Sequence, residues 1–122
     1  MAIRYATAIL TVAGLLALLL GFFIWIGFGV QLISMHMLLG LLAVGALWIV
    51  AIGQAFSDHG HKALALVAVI VGVSTIWLGM SQATLLSGSA HWIIQIVHLI
   101  LGLATVGLGH AAAARHRKAP SS

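Results

Sequence analysis

Two histidines stand in apolar surroundings where an imidazole is energetically costly, and the same small residues follow both of them. His36 lies in ISMHMLLGLLAVG (33–45), and His98 lies at the matching position of QIVHLILGLATVG (95–107). Polar side chains inside a membrane segment are expensive and usually functional. Two neutral imidazoles from separate helices are typical axial ligands of a low-spin haem b. The pattern therefore predicts His36 and His98 as metal ligands.

The glycines that follow these histidines favour a flat ligand. Gly40 and Gly102 each come four residues after a histidine, so each lies on the same helix face about one turn away. The edge of a flat macrocycle requires a face from which side chains are absent. His91 precedes His98 by seven residues and shares its face. We therefore predict that Gly40, Gly102 and His91 complete the cofactor-binding set.

Other interpretations of the histidines stay open. Each imidazole could form a hydrogen bond across a helix interface and serve packing alone, and the ligand could instead be a chlorophyll-type pigment, copper or a quinone. The triplet MHM (35–37) is a cue for copper, but consecutive helix residues point about 100° apart and do not converge on one ion. The roles of the other histidines are open, and His59, His61 and His110 could form a further metal site.

The composition places the chain in a lipid bilayer. Of its 122 residues, 63% are hydrophobic and only 5% are charged, whereas soluble domains have about 25% charged residues. Four apolar segments run from about 5–28, 32–56, 63–86 and 92–113, and spanning a membrane takes about 20 residues. Backbone groups in lipid must be satisfied within the segment, which favours helices. The predicted fold class is all-α and integral membrane, with four transmembrane helices.

The charges predict how these helices are oriented. Lys and Arg occur before the first helix, between the second and third helices, and after the fourth, at Arg4, Lys62 and positions 115–118. All of these places lie on one side of a four-helix chain, so the positive-inside rule puts the N- and C-termini in the cytoplasm. We divide the chain into one transmembrane domain, 1–114, and a basic cytoplasmic tail, 115–122, whose end KAPSS is predicted to be disordered.

The helices also show an internal repeat. Segments two and four match at an offset of 62 residues, and segments one and three match at an offset of 58 through their glycines. This pattern indicates two parallel-repeat helical hairpins related by a pseudo-twofold axis along the membrane normal, with chance similarity as the alternative. Small residues allow helices in lipid to approach closely, so we interpret these glycines as packing seams without chemistry: Gly14, Gly21, Gly72 and Gly79.

Several function classes are disfavoured by what the sequence lacks. Its one acidic residue, Asp58, lies outside the apolar segments, whereas small proton- or cation-coupled transporters rely on an intramembrane carboxylate. There is no cysteine, no serine–histidine–aspartate set and no phosphate-binding loop. The lysine and arginine residues behind the net charge of +4 lie outside the apolar segments and are interpreted as membrane topology signals. No nucleic-acid partner is therefore expected. A redox or accessory subunit is favoured over an independent enzyme.

The architecture and the two His-to-Gly patterns resemble, in outline, the small four-helix transmembrane cytochromes of b type. Such proteins carry haem between histidines of different helices, and they usually pass electrons between quinol and a partner or anchor a redox enzyme. The residues themselves favour one haem b, because the repeat position of His110 is Trp48 and no second symmetric pair exists. The chain departs from larger members in lacking an outer-surface arginine to meet haem propionates.

The sequence thus predicts a haem-b-binding membrane protein with bis-histidine ligation that transfers single electrons. Its expected location is the inner (plasma) membrane of a bacterium. A larger membrane redox complex or a second copy of the chain is the expected partner, with quinone as a further candidate. The alternative is a non-catalytic accessory subunit of a respiratory or photosynthetic complex, which binds another pigment or a quinone.

Overall fold

The fold is all-helical, as the sequence predicts. A computed structural model describes residues 1–118, which form four long helices and a short 3-10 turn, with no strand in that range. The elements are α1 (Ala2–Trp25), the 3-10 turn (Val30–Leu32), α2 (Ile33–Ala55), α3 (Lys62–Ser81) and α4 (His91–Lys118). All four helices are long and apolar enough to cross a membrane, which confirms that part of the predicted fold class.

The helices form a bundle in which α2 and α4 are neighbours. Each helix packs against the next one along the chain, and both α1 and α2 also pack against α4. The first and third helices do not contact each other within the part of the chain that the structure describes. Since short connections alternate the helix direction, α2 and α4 run the same way, side by side. This arrangement brings together the two helices that carry the paired histidines.

The third helix is shorter than predicted. It ends at Ser81, whereas the apolar pattern predicts that it continues to about position 86. The hydroxyl of Thr84 donates a hydrogen bond to the carbonyl of Ser81, an interaction that competes with helix continuation. Leu86 and Gly88 then adopt positive φ angles of 44° and 99°. Turns therefore replace the helix after Ser81, where the sequence SQAT (81–84) is also less apolar.

The fourth helix is longer than predicted. It continues to Lys118 and includes basic residues that the sequence analysis assigned to a tail beginning at 115. Four consecutive alanines (111–114) favour helix, and cations near a helix C-terminus interact favourably with its dipole. The helix thus continues past 114, and Lys118, the first residue of the KAPSS segment predicted to be disordered, is helical. The cytoplasmic position of the basic residues 115–118 stays a prediction. The remaining residues of the segment predicted to be disordered, 119–122, lie outside the described residues.

The tightly packed part of the bundle lies at the end that carries both termini. The buried residues of α2 begin at Ala43, and those of α4 begin at Thr105. No residue in 33–42 or in 91–104 is buried. Alanine-rich surfaces account for the close approach at the packed end, since small side chains allow helix backbones to come together. The bundle is therefore looser where α2 and α4 carry His36 and His98.

Candidate functional site

His36 and His98 face each other across the interface between α2 and α4. Their ring centroids are 6.1 Å apart, and the ring planes are inclined by 67°. Each imidazole is only half-buried, in keeping with the looser packing at this end of the bundle. The structure thus brings together the two residues that the sequence predicts as ligands.

Each imidazole packs against a glycine of the preceding helix. A Cβ atom added to Gly21 would lie 3.0 Å from Cε1 of His36, and one added to Gly79 would lie 3.0 Å from Cε1 of His98. Optimal carbon–carbon contacts are about 3.5–4.0 Å, so only glycine fits without moving the ring. The interpretation of Gly21 and Gly79 as seams without chemistry missed this contact. The signal that could have found it is the repeat, which pairs both glycines with the two histidines.

The other two repeat glycines do serve helix packing. A Cβ atom on Gly14 would lie 2.6 Å from Cγ2 of Val106. One on Gly72 would meet Nε1 of Trp48 first and would lie 2.8 Å from Cγ1 of Val44. Val44 and Val106 occupy equivalent positions in the two segments that carry the histidines. These two contacts join α1 to α4 and α3 to α2, so they cross between the hairpins in equivalent ways, as a pseudo-twofold repeat would produce.

The two imidazoles differ in their hydrogen bonding. Nδ1 of His36 lies 2.8 Å from the backbone carbonyl oxygen of Ala17 in α1. A carbonyl only accepts, so Nδ1 of His36 carries a proton and donates it; in the neutral imidazole this leaves a lone pair on Nε2. Nδ1 of His98 is buried and has no hydrogen-bond partner among residues 1–118. The repeat is therefore symmetric in its glycine contacts and asymmetric at Nδ1.

A second difference between the two hairpins lies closer to the packed end of the bundle. Thr75 and Thr105 occupy the repeat positions of Ala17 and Ala43, so the second hairpin has hydroxyls where the first has methyl groups. Both threonines are buried, and their Oγ1 atoms are 3.2 Å apart. Each hydroxyl also lies within hydrogen-bond distance of the carbonyl four residues earlier, at 2.7 Å for Thr75 and 2.9 Å for Thr105. This pair joins α3 to α4.

The spacing of the two rings matches that of two axial imidazoles on one metal ion. A metal ion lies about 2.0 Å from a ligating imidazole nitrogen, which places the centroids of two axial imidazoles roughly 6.3 Å apart, close to the 6.1 Å between His36 and His98. A Cβ atom on Gly40 would meet nothing within 4 Å, and one on Gly102 would meet only a side-chain methyl of Leu18, at 3.3 Å. Gly40 therefore leaves space beside His36, whereas the side chain of Leu18 occupies the space at Gly102.

His91 contacts the connection before α4. Its Nδ1 lies 3.2 Å from the carbonyl oxygen of Leu85, so the imidazole fastens the start of α4 to the turns that follow α3. It is half-buried and precedes His98 by two helical turns. The contact explains how the connection is held, and a role for His91 beside a cofactor stays a prediction.

His110 belongs to a separate polar contact between α4 and α1. Its Nε2 lies 3.0 Å from Oγ1 of Thr11. The Thr11 hydroxyl donates its proton to the carbonyl of Thr7, at 2.8 Å, so His110 donates to Thr11. This contact anchors the packed end of α4 to α1, and it lies outside the facing pair formed by His36 and His98.

The remaining loop histidines are held through their backbones. Buried Gln54 donates to the carbonyl of His59 and accepts from the backbone N–H of His61, both at 3.4 Å. The two imidazoles themselves are exposed. Within residues 1–118, no group of three or more histidine or acidic side chains could hold a metal ion. The further metal site considered for His59, His61 and His110 therefore does not form.

Comparisons with known proteins leave the site to be judged on its geometry. The chain matches no protein-family model, no curated protein and no solved structure.

Proposed function

We propose that this chain is a multi-pass protein of a bacterial inner membrane, with both termini in the cytoplasm. Its four apolar helices support a multi-pass membrane protein. Large hydrophobic side chains are exposed along all four of them, for example Leu19, Leu38, Ile70 and Ile100. Such a surface suits lipid and would be unusual in water. The lysine and arginine residues at the end carrying the termini support the orientation.

Within this membrane, the protein binds one haem b between His36 and His98 and transfers single electrons. The observation that carries this function is the facing pair of imidazoles from two adjacent helices, 6.1 Å apart, each resting on a glycine. Haem supplies a reversible one-electron couple whose potential depends on its axial ligands and on burial. The Nε2 atoms of His36 and His98 hold the iron, and Gly21 and Gly79 set the positions of the rings.

The site lies away from the termini, so electrons are exchanged near the outer surface of the membrane. With only short connections between its helices, the chain offers little soluble surface of its own for a donor or an acceptor. A larger membrane redox complex, or quinone in the bilayer, is the partner that this geometry accommodates.

A second function is favoured by one specific contact. The hydrogen bond from His36 to the carbonyl of Ala17 joins α2 to α1, which is what a histidine serving helix packing would do. In this alternative the protein is an accessory subunit of a membrane complex, and its histidines bind no haem.

The absorption spectrum of the purified protein separates the two functions. Sharp bands of six-coordinate haem b in the reduced state support the first, and a colourless, folded preparation supports the second. His36→Ala and His98→Ala should each abolish the six-coordinate spectrum. His110→Ala and His116→Ala are matched controls that should leave it intact, and loss of haem in His110→Ala with retention in His36→Ala would refute the site assignment.

A further inference from the structure

The two candidate ligands are supported unequally at the nitrogen that does not bind metal. A metal-bound histidine normally donates its second N–H to an acceptor, which fixes the ring and makes it a better ligand. His36 has this acceptor in the carbonyl of Ala17, at 2.8 Å. His98 ligating through Nε2 would keep its proton on Nδ1, a buried atom without a partner among residues 1–118.

The rest of the surroundings do not remove this difference. The contacts of His36 with Gly21 and of His98 with Gly79 are equally close at Cε1, at 3.0 Å, although the next nearest ring atom is Nδ1 in His36 and Nε2 in His98. The repeat position of Ala17 is Thr75, whose hydroxyl is engaged within α3 and towards Thr105. The hydrogen bond at Nδ1 is thus what distinguishes the two ligands.

We infer that His36 is the permanent axial ligand and His98 the exchangeable one, so that a small neutral ligand such as carbon monoxide binds on the His98 face. This inference rests on the proposed haem function. In the exchange, the bond between the iron and Nε2 of His98 breaks with its electron pair returning to nitrogen. The carbon lone pair of carbon monoxide forms the new bond, and the ferrous state and the protons are unchanged.

The first experiment compares His36→Ala with His98→Ala after expression and purification in the same detergent. Loss of an outer partner of a metal ligand typically weakens metal binding about 10- to 100-fold, so His36 alone should hold haem at least about tenfold more tightly than His98 alone. We expect His98→Ala to retain five-coordinate haem that binds carbon monoxide rapidly, and His36→Ala to lose most of its haem. Circular dichroism and gel filtration establish that both variants are folded.

A second experiment uses the unaltered protein, so it does not depend on how the variants fold. In the reduced, diamagnetic protein, ¹⁵N-labelled histidine should give two axial Nδ1–H signals. The hydrogen-bonded one, from His36, should be the further downfield and the slower to exchange with solvent. Addition of carbon monoxide should remove the other signal and leave the His36 signal in place.

Each outcome decides the inference. Equal haem retention in the two variants, better retention in His36→Ala, failure of the reduced protein to bind carbon monoxide, or loss of the hydrogen-bonded signal would each overturn it while leaving bis-histidine ligation intact. Unaltered protein that is folded but binds no haem would instead overturn the proposed function, and the inference with it.

Discussion

The contact between each imidazole and its glycine provides the sharpest test of the site. Replacing Gly21 or Gly79 by alanine would place a Cβ atom 3.0 Å from Cε1 of the facing histidine. Since optimal carbon–carbon contacts are about 3.5–4.0 Å, the ring must retreat by a few tenths of an ångström. Functional groups must be held within about 0.5 Å of their productive positions. We therefore expect both substitutions to impair haem binding.

The size of the effect follows from packing energetics. Inserting a methyl group into a well-packed core typically costs about 1–3 kcal/mol, and this half-buried position belongs at the lower end of that range. If a cost of about 1 kcal/mol falls on the bound state, the affinity for haem should decrease about 5-fold, since 1.4 kcal/mol corresponds to a factor of ten. The assay is titration of haem into the purified apoprotein, followed by absorbance and by quenching of tryptophan fluorescence.

Two other glycines provide matched controls. Gly45 and Gly107 are equivalent in the repeat and lie on the two histidine-bearing helices, and a Cβ atom on either would meet nothing within 4 Å. Alanine at these positions should leave the haem affinity unchanged, or slightly improve folding through its higher helix propensity. If all four alanine variants bind haem equally well while remaining folded, the contacts of Gly21 and Gly79 have no part in ligand binding.

Three further predictions concern polar groups outside the histidine pair. Gln54→Leu should lower the free energy of unfolding in detergent by about 1 kcal/mol by removing two hydrogen bonds to the connection between α2 and α3. An unchanged thermal midpoint would show that this connection is stable without the hydrogen bonds of Gln54. His110→Ala should lower the thermal midpoint through loss of its contact with Thr11, so an unchanged midpoint would mean that the contact is energetically neutral. In a double-mutant cycle of Thr75→Ala and Thr105→Ala, the coupling should be about 0.6 kcal/mol, and a zero value would show that the two hydroxyls do not bond to each other.

Composition and segment length alone were sufficient to predict the helical fold. Four apolar runs longer than about 20 residues leave helix as the expected way to satisfy the backbone in lipid, and residues 1–118 form four such helices. The helix ends were less predictable, because they depend on local turn chemistry. The hydroxyl contact of Thr84 and the alanine run at 111–114 shifted the ends of α3 and α4 relative to the limits of the apolar segments.

The sequence also singled out His36 and His98, because an imidazole is conspicuous in an apolar segment and the repeat marks it twice. Whether the two rings meet was decided by the tertiary structure, since residues 62 positions apart come together only if α2 and α4 are neighbours. The contacts with Gly21 and Gly79, and the hydrogen bond that His36 has and His98 lacks, likewise depend on the packing of separate helices. A local pattern fixes the face on which a side chain lies, but the atoms opposite that face belong to another helix.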